Sequence, residues 1–421
     1  MLVTPTSWTH EHQEALATKL APFAIDGLGL AVSGGSDSLA MLYLIADWAS
    51  EAGVTVKVAT VDHGLRAEAK DEAKLVAEHC RTLGLPHSTL EWRGWDGTGN
   101  LQSMARKARI SLLADWAKDT GVTRVALAHT MDDVAETFLM RLGRGAGAAG
   151  LAKMTESREV SGIEFIRPLM AFRRSELRAY LQERDAAWVE DPSNKDDRFD
   201  RVRLRKMLPD LESAGVSVSS IAKSAENLRG VSEALDHYTR AAAEDAVTIE
   251  DCNLWLDLAR LTQHPAEIQR RLISGAVEWM SPSEYAPRGK SVQRVLAQLE
   301  EQEQTVLRGC LFVRVGDRVL VTREFAAVEG LSAAVGEVWD GRWLLRGSVA
   351  DGAEVRALGP DGLQLCPDWR ETGRKRAALL VSPSVWVSGE LVSAPLVGKA
   401  NAITAEPQKH WEDFLQTALS H

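Results

Sequence analysis

The chain has 421 residues, 45% of them hydrophobic and 26% charged, with a formal net charge of -10. That length suits two or three domains, no apolar run reaches the ~18 residues of a membrane span, and the polar start with His10, Glu11, His12 and Glu14 is no secretory leader. The acidic total argues against non-specific nucleic-acid binding, and the scattered Cys80, Cys252, Cys310 and Cys366 form no zinc or redox motif and fit a reducing cytoplasm.

Leu28 to Val32 reads as a buried parallel strand and Leu39 to Trp48 as a helix. Between them lies Ser33-Gly34-Gly35-Ser36-Asp37-Ser38. A Gly-Gly turn leaves main-chain N–H groups uncovered, the serines add hydroxyls, and the helix start adds partial positive charge, which together make an anion cradle. A Walker A loop would end in Gly-Lys-Ser/Thr, and no Lys is present. Asp37 inside a phosphate cradle implies a divalent cation, Mg²⁺, between the two anions. The alternative is an ordinary turn with Ser36 or Asp37 capping the helix.

Val54 to Val61 reads as a second strand, Asp71 to Leu83 as a helix, His87 to Trp92 as a third strand, and Asn100 caps a helix running to about Lys118. Val122 to Ala128 is a fourth strand, Asp133 to Leu142 a helix, and Ile163 to Ile166 a last, edge strand. Strands alternating with helices predict an α/β fold with a doubly wound parallel sheet, in which ligands sit at the carboxyl ends of the strands. Three clusters fall there. The first is the hexapeptide. The second is Asp62-His63-Gly64-Leu65-Arg66, read equally well as a nucleotide pocket or a plain turn. The third is His129 to Thr137, where Asp132, Asp133 and Glu136 share a helix face and suit a second Mg²⁺ or a cationic substrate. Acids at a helix start also complement its dipole without any ligand.

Arg106 and Arg109 share a face of the helix that Asn100 begins and could hold a phosphate or carboxylate. The glycine-rich stretch Arg141 to Gly150 disfavours a helix and reads as a mobile loop bearing Arg141 and Arg144. Basic residues are frequent from Arg141 to Lys206, including Arg167, Arg173, Arg174, Arg178, Arg201, Arg203 and Arg205, which makes this the candidate phosphate-tracking face. Leu211 to about Glu244, Ile268 to Ile273 and Val292 to Leu299 read as helices. Val306 to Phe312 and Val319 to Thr322 read as a hairpin around Gly316-Asp317. Phe325 to Glu337 reads as a linker, followed by short strands and turns and a basic cluster of Arg370, Arg374, Lys375 and Arg376.

The hexapeptide resembles the SGGxDS loop of the N-type ATP pyrophosphatases (the PP-loop superfamily), which implies ATP cleaved to AMP and pyrophosphate. The ordered set SGGSDS (33–38), VDHGLR (61–66), ARKAR (105–109), AHTMDDVAET (128–137), RLGRGAGAAGL (141–151), RPL (167–169), WVEDPSN (188–194) and DRVRLRKMLPDL (200–211) resembles the tRNA(Ile)-lysidine synthases. It covers roughly the first half of the chain. The common family form has His, Gln and Asn where Thr130, Val134 and Val202 stand, so no role is carried onto these three.

The resemblance implies a catalytic domain over 1–210, a mainly helical tRNA-binding domain over 211–325 and a C-terminal tRNA-binding α+β domain over 326–421. It implies a cytoplasmic ligase, with no membrane and with a homodimer left open. ATP would adenylate C2–O of the wobble cytidine of the isoleucine tRNA with a CAU anticodon, and free L-lysine would displace AMP to leave lysidine. Ser33, Gly34, Gly35, Ser36 and Ser38 would hold ATP, Asp37 would hold Mg²⁺, and Asp62 would line the nucleotide pocket. Asp133 and Glu136 would take the lysine ammonium, one of them as base, with His129 near the reacting centre. Arg106, Arg109, Asp132, Arg144, Arg201, Arg203 and Arg205 would face substrate. The alternatives are a PP-loop tRNA thiolase, which would need cysteines close to the site where only Cys80 stands, a small-molecule synthetase, and a non-catalytic nucleotide- or RNA-binding module.

Overall fold

Leu28–Ala31 forms β1, all four residues buried, as a strand covered on both faces by helices requires. The computed structural model describes residues 8–23, 27–64, 69–93, 101–190, 196–281, 287 and 289–420. It divides into two compact units, one up to Val231 and one from Ser232.

In the first unit α1 (His10–Leu20) precedes β1, and then come α2 (Ser36–Ala52), β2 (Val56–Asp62), α3 (Ala69–Thr82), β3 (His87–Glu91), α4 (Leu101–Thr120), β4 (Arg124–Leu127), α5 (Met131–Leu142) and the one-turn α6 (Ala148–Leu151). The hairpin β5 (Ser157–Val160) and β6 (Ile163–Ile166) follows, then α7 (Arg174–Glu183), α8 (Asp200–Ser213) and α9 (Val218–Ala246), which runs into the second unit. The strand order is β3-β2-β1-β4-β6-β5. All pairs are parallel except β5–β6. The chain thus winds outward from β1 through β2 to β3, returns, and winds the other way through β4. The carboxyl ends of β1 and β4 flank the switch point, where doubly wound sheets bind their ligands.

Ile163–Ile166 is not the edge strand that the sequence suggests. It is flanked by β5, which turns back through Ser161 and Gly162, at φ 54° and 77°. Two central residues with positive φ make the hairpin turn that matches strand twist. Ser157-Arg158-Glu159 is polar because it is the exposed edge, so no apolar alternation marks it. Leu39, Met41, Leu42 and Ile45 of α2 pack with Leu28, Leu30, Val56 and Val58 in one apolar cluster of this unit. Leu113, Ala114 and Trp116 of α4 pack with Ala31, Val125, Leu127 and Phe165 in another.

In the second unit β7 (Val247–Glu250), β8 (Asn253–Asp257), α10 (Leu258–Leu261), α11 (Ala266–Met280) and α12 (Gly289–Glu301) lead to β9 (Gln304–Leu307), β10 (Cys310–Val315) and β11 (Arg318–Arg323). The middle of the chain therefore carries, besides its helices, an antiparallel sheet in the order β7-β8-β11-β10-β9. The hairpin around Gly316-Asp317 joins β10 to β11, with Val315 opposite Arg318. The run Val306 to Phe312 is split by a turn at Arg308-Gly309, with φ 54° and 71°. Beyond it lie a four-stranded and a three-stranded sheet and a last helix, Trp411–Leu419.

That helix lies against α11 so closely that a β-carbon on Gly275 would stand 2.6 Å from Ala418 Cα. Backbone in that position cannot swing aside. Gly275→Val should therefore destabilise the protein by about 1–3 kcal/mol through overpacking. Gly230, with nothing within 4 Å of its added β-carbon, should accept Ala with no loss. Chemical-denaturation midpoints of the two variants check this, and equal midpoints would refute the close approach. Among the described residues no helix is long and apolar enough to cross a membrane.

Candidate functional site

The hexapeptide sits at the switch point. Gly34 has φ +84°, in the region where a side chain is strained. The loop is pinned from two sides. Val189 N donates to Gly34 O at 2.9 Å. Ser38 Oγ accepts from Ser33 N at 3.1 Å and donates to Gly35 O at 3.0 Å. Gly35 is the extended N-cap of α2 and offers no capping side chain, so the first N–H groups of the helix have no partner within it. A β-carbon on Gly35 would meet only Ser33 Oγ, at 3.9 Å. Unpartnered N–H groups at a helix start suit an anion.

Across from the loop, α5 begins with a capping box. Thr130 N and Oγ1 donate to Asp133 Oδ2 at 2.9 and 2.8 Å, and Asp133 N returns to Thr130 Oγ1 at 3.4 Å. The free side of Asp133 faces α7. There Arg174 gathers three acids, with Nε to Asp37 Oδ2 at 2.9 Å, Nη2 to Asp133 Oδ1 at 3.3 Å and Nη1 to Glu136 Oε1 at 3.2 Å. Its main-chain N–H donates to Asp132 Oδ2 at 2.8 Å. Glu136 is completely buried and takes a second guanidinium, Arg205 Nε, at 2.8 Å. Burial raises the Asp37 carboxyl above its ordinary range, against the pull of Arg174. At Asp133 burial also pushes upward, but Arg174 and the Thr130 hydrogen bonds outweigh it and hold the carboxyl below its ordinary value. Arg174 itself is held more firmly protonated by the three acids, in spite of its own burial.

Beside this network is a cavity of about 240 Å³ walled by Arg106 and Arg109 of α4, Arg158 of β5, Arg167, Arg201 and His129. Among the described residues no carboxylate lines it. Arg167 Nε donates to His129 Nδ1 at 3.2 Å and Nη1 to Thr155 O at 2.7 Å. Removal from water, together with Arg167, Arg109 and Arg106, drives His129 down to about 3 despite Asp133. Burial and the neighbouring Arg158, Arg106 and Arg109 push Arg167 down to about 10. So dense a set of cations calls for an anion.

His129 thus stays neutral in the folded chain, while in the unfolded chain it takes a proton near pH 6.5. Its folded value is depressed, so it costs stability as pH falls below 6.5, down to about 3. His129→Gln should therefore lose less stability than the parent protein between pH 7 and pH 5. Urea midpoints at the two pH values check this, and equal losses would count against it.

Residues 8–211 match the family model described as a PP-loop domain. The tRNA(Ile)-lysidine synthase of Ruegeria pomeroyi is 49% identical over 394 residues, 94% of each chain. The chain belongs to the tRNA(Ile)-lysidine synthase family. The family's protein from Wolbachia pipientis wMel is 35% identical over 311 residues, 72% of each chain, and that from Bradyrhizobium diazoefficiens is 38% identical over 308 residues, 71% of this chain and 84% of its own. As a lysidine synthase family member this protein is an ATP-using, ligase-type enzyme of tRNA modification, built on a PP-loop domain.

Within this family member the predicted residues separate into groups. Asp37, Asp132, Asp133 and Glu136 come together around Arg174, with Arg205 on Glu136, and Asp37 carries the rest of the loop Ser33 to Ser38 to the edge of this group. Arg106, Arg109, Arg201 and His129 come together in the basic cavity. Asp62 accepts from Gly64 N at 2.8 Å, closing its own turn. Arg144 and Arg203 both pair with Asp200 at an exposed position. Arg374 of the C-terminal basic cluster is engaged by Asp251 at 2.6 Å. Arg66, Asn100 and 191–194 lie outside the described residues.

The three departures have local work. Thr130 caps α5, and Val134 and Val202 are buried. The sequence places Arg167 and Arg174 only on a general phosphate-tracking face and does not single out Arg158, whereas Arg174 is taken up by three acids and Arg167 by His129 and Thr155. One signal for Arg174 was present, because two arginines at a helix start oppose the helix dipole and call for an acidic partner elsewhere.

Proposed function

We propose that the protein joins free L-lysine to C2 of the wobble cytidine of the isoleucine tRNA with a CAU anticodon, through a C2–O–adenylate, releasing pyrophosphate and then AMP. The observation that carries the reading is the Arg174 network, which links the PP-loop through Asp37 to the acidic start of α5 within 3.3 Å. An ATP-activated oxygen and a cationic nucleophile must meet, and here an anion cradle and a cation-binding pair of acids share one guanidinium.

Ser33, Gly34, Gly35, Ser36 and Ser38 hold the pyrophosphate end of ATP, where fixed N–H donors neutralise the leaving group. Asp37 holds Mg²⁺, which needs one or two protein carboxylates when phosphate oxygens complete its shell; the single Asp37 fits that role, and among the described residues no group of three metal-binding side chains offers a protein-only cage. When bound, the ion supplies charge neutralisation at the phosphates. Asp133 and Glu136 receive the lysine ammonium and one accepts its proton, since a protonated amine is no nucleophile. Arg106, Arg109 and Arg201 hold anionic groups of the substrates in the basic cavity. Residues 1–210 carry the chemistry, and 211–325 and 326–421 grip the tRNA.

A sulfur-inserting relative of the same loop is disfavoured by Cys80, which is fully buried with its thiol pushed up to about 11. The test supplies ATP, Mg²⁺, radiolabelled lysine and two transcripts with a CAU anticodon, the isoleucine and the initiator methionine species. Label in the isoleucine transcript alone, with AMP released, supports the proposal. AMP formed only with another acceptor or a sulfur donor defeats it.

A further inference from the structure

The contact between Arg167 and His129 has a chemical consequence. A guanidinium can only donate, so at 3.2 Å from Arg167 Nε the Nδ1 atom of His129 must be the acceptor. An imidazole whose Nδ1 accepts carries its proton on Nε2. The charges around the ring act in the same direction. Arg106 and Arg109 face it from α4 and Arg167 from the end of β6, while Asp133 of α5 is the one acid among them. A second proton on His129 would both break the Arg167 contact and add a cation to a wall of arginines.

We propose that Arg167 is a positioning residue that fixes His129 as a neutral Nε2–H imidazole, so that His129 serves the cavity as a hydrogen-bond donor and not as a base. The ligand group it suits is an anionic phosphoryl oxygen, the kind that the surrounding arginines also attract. Resting on the proposed reaction, that oxygen belongs to the adenylyl group, and the proton stays on His129 throughout. The proton of the lysine ammonium then leaves by way of the α5 carboxylates and not by His129.

The experiment uses the full chain labelled with ¹⁵N-histidine and reads two-bond ¹H–¹⁵N correlations from pH 5 to pH 8, with His129→Gln identifying the signal. The expected spectrum has a pyrrole-like Nε2 and a pyridine-like Nδ1 that do not titrate over this range. Arg167→Lys, which still donates, should keep that tautomer. Arg167→Met should release Nδ1, so that the Nδ1–H tautomer appears in the spectrum. It should also lower kcat for lysine incorporation about ten- to a hundredfold, as misplacing a group at the reacting centre does, with KM for ATP little changed.

An Nδ1–H tautomer or an imidazolium at pH 7 in the parent protein overturns the proposal. So does a His129 signal that Arg167→Met leaves unaltered. The tautomer is read without turnover, so a protein that fails to incorporate lysine would refute the proposed reaction while the spectrum still decides the role of Arg167. If Arg167→Met does not fold, the parent and Arg167→Lys spectra decide.

Discussion

Arg174→Met should cost about 3–5 kcal/mol of stability, the usual result of removing one partner from a buried ionic cluster. Three carboxylates converge on this one guanidinium, and its side chain is only 15% exposed. Glu136 keeps Arg205, and Asp133 keeps Thr130. Among the described residues Asp37 keeps Ser36, at 3.3 Å. The orphaned acids would relieve their repulsion by taking up protons, so the deficit against the parent protein should shrink as pH falls from 7 towards 4. Arg174→Lys should lie between the two, because one ammonium cannot reach three separated carboxylates as a planar fork does. Denaturation midpoints across pH are the measurement. A deficit that stays constant with pH would mean that the three acids are not the source of the loss.

Asp37→Asn should give the opposite pairing, with activity lost and stability kept. Lysine incorporation should fall about a thousandfold or more, equivalent to about 4 kcal/mol of lost transition-state stabilisation, since the proposed ion would lose its protein carboxylate. Stability should hold or rise at pH 7. The Asp37 carboxyl is raised by burial, so its charged form is disfavoured in the folded chain, and that penalty applies at neutral pH and disappears as pH falls below the raised value. An amide of the same shape removes it. The paired readouts are lysine incorporation and the thermal midpoint. A stable, fully active Asp37→Asn would remove Asp37 from the ATP site, and an unfolded one would make it a structural residue.

The sequence shows the parts of this architecture that local pattern controls. Buried parallel strands announce themselves as apolar runs, which is why β1, β2 and β4 lie within a residue or two of their expected places. The phosphate loop is a contiguous glycine-serine signal, and the acids of α5 sit at their expected helix start. What escaped notice depends on partners distant in sequence. The exposed strand Ser157–Val160 is polar, and Val247–Glu250 and Asn253–Asp257 are too short to show a period. Arg174 looks like any surface arginine until the fold brings it to Asp37, 137 positions away. The three substitutions from the usual family pattern also resolve only in three dimensions, as a cap and two core valines.

The seating of Trp411–Leu419 on α11 bears on how the protein is made. Ribosomes deliver the chain from its N-terminus, and every strand of the PP-loop sheet has emerged by Ile166. The contact of Gly275 with Ala418 closes only when the chain has been made as far as Ala418. Until then Phe414, Leu415 and Ala418 are missing from the apolar cluster they share with Leu272, Ala276 and Val277. A nascent chain interrupted anywhere between these points carries a hydrophobic face that stays uncovered until Trp411–Leu419 has emerged.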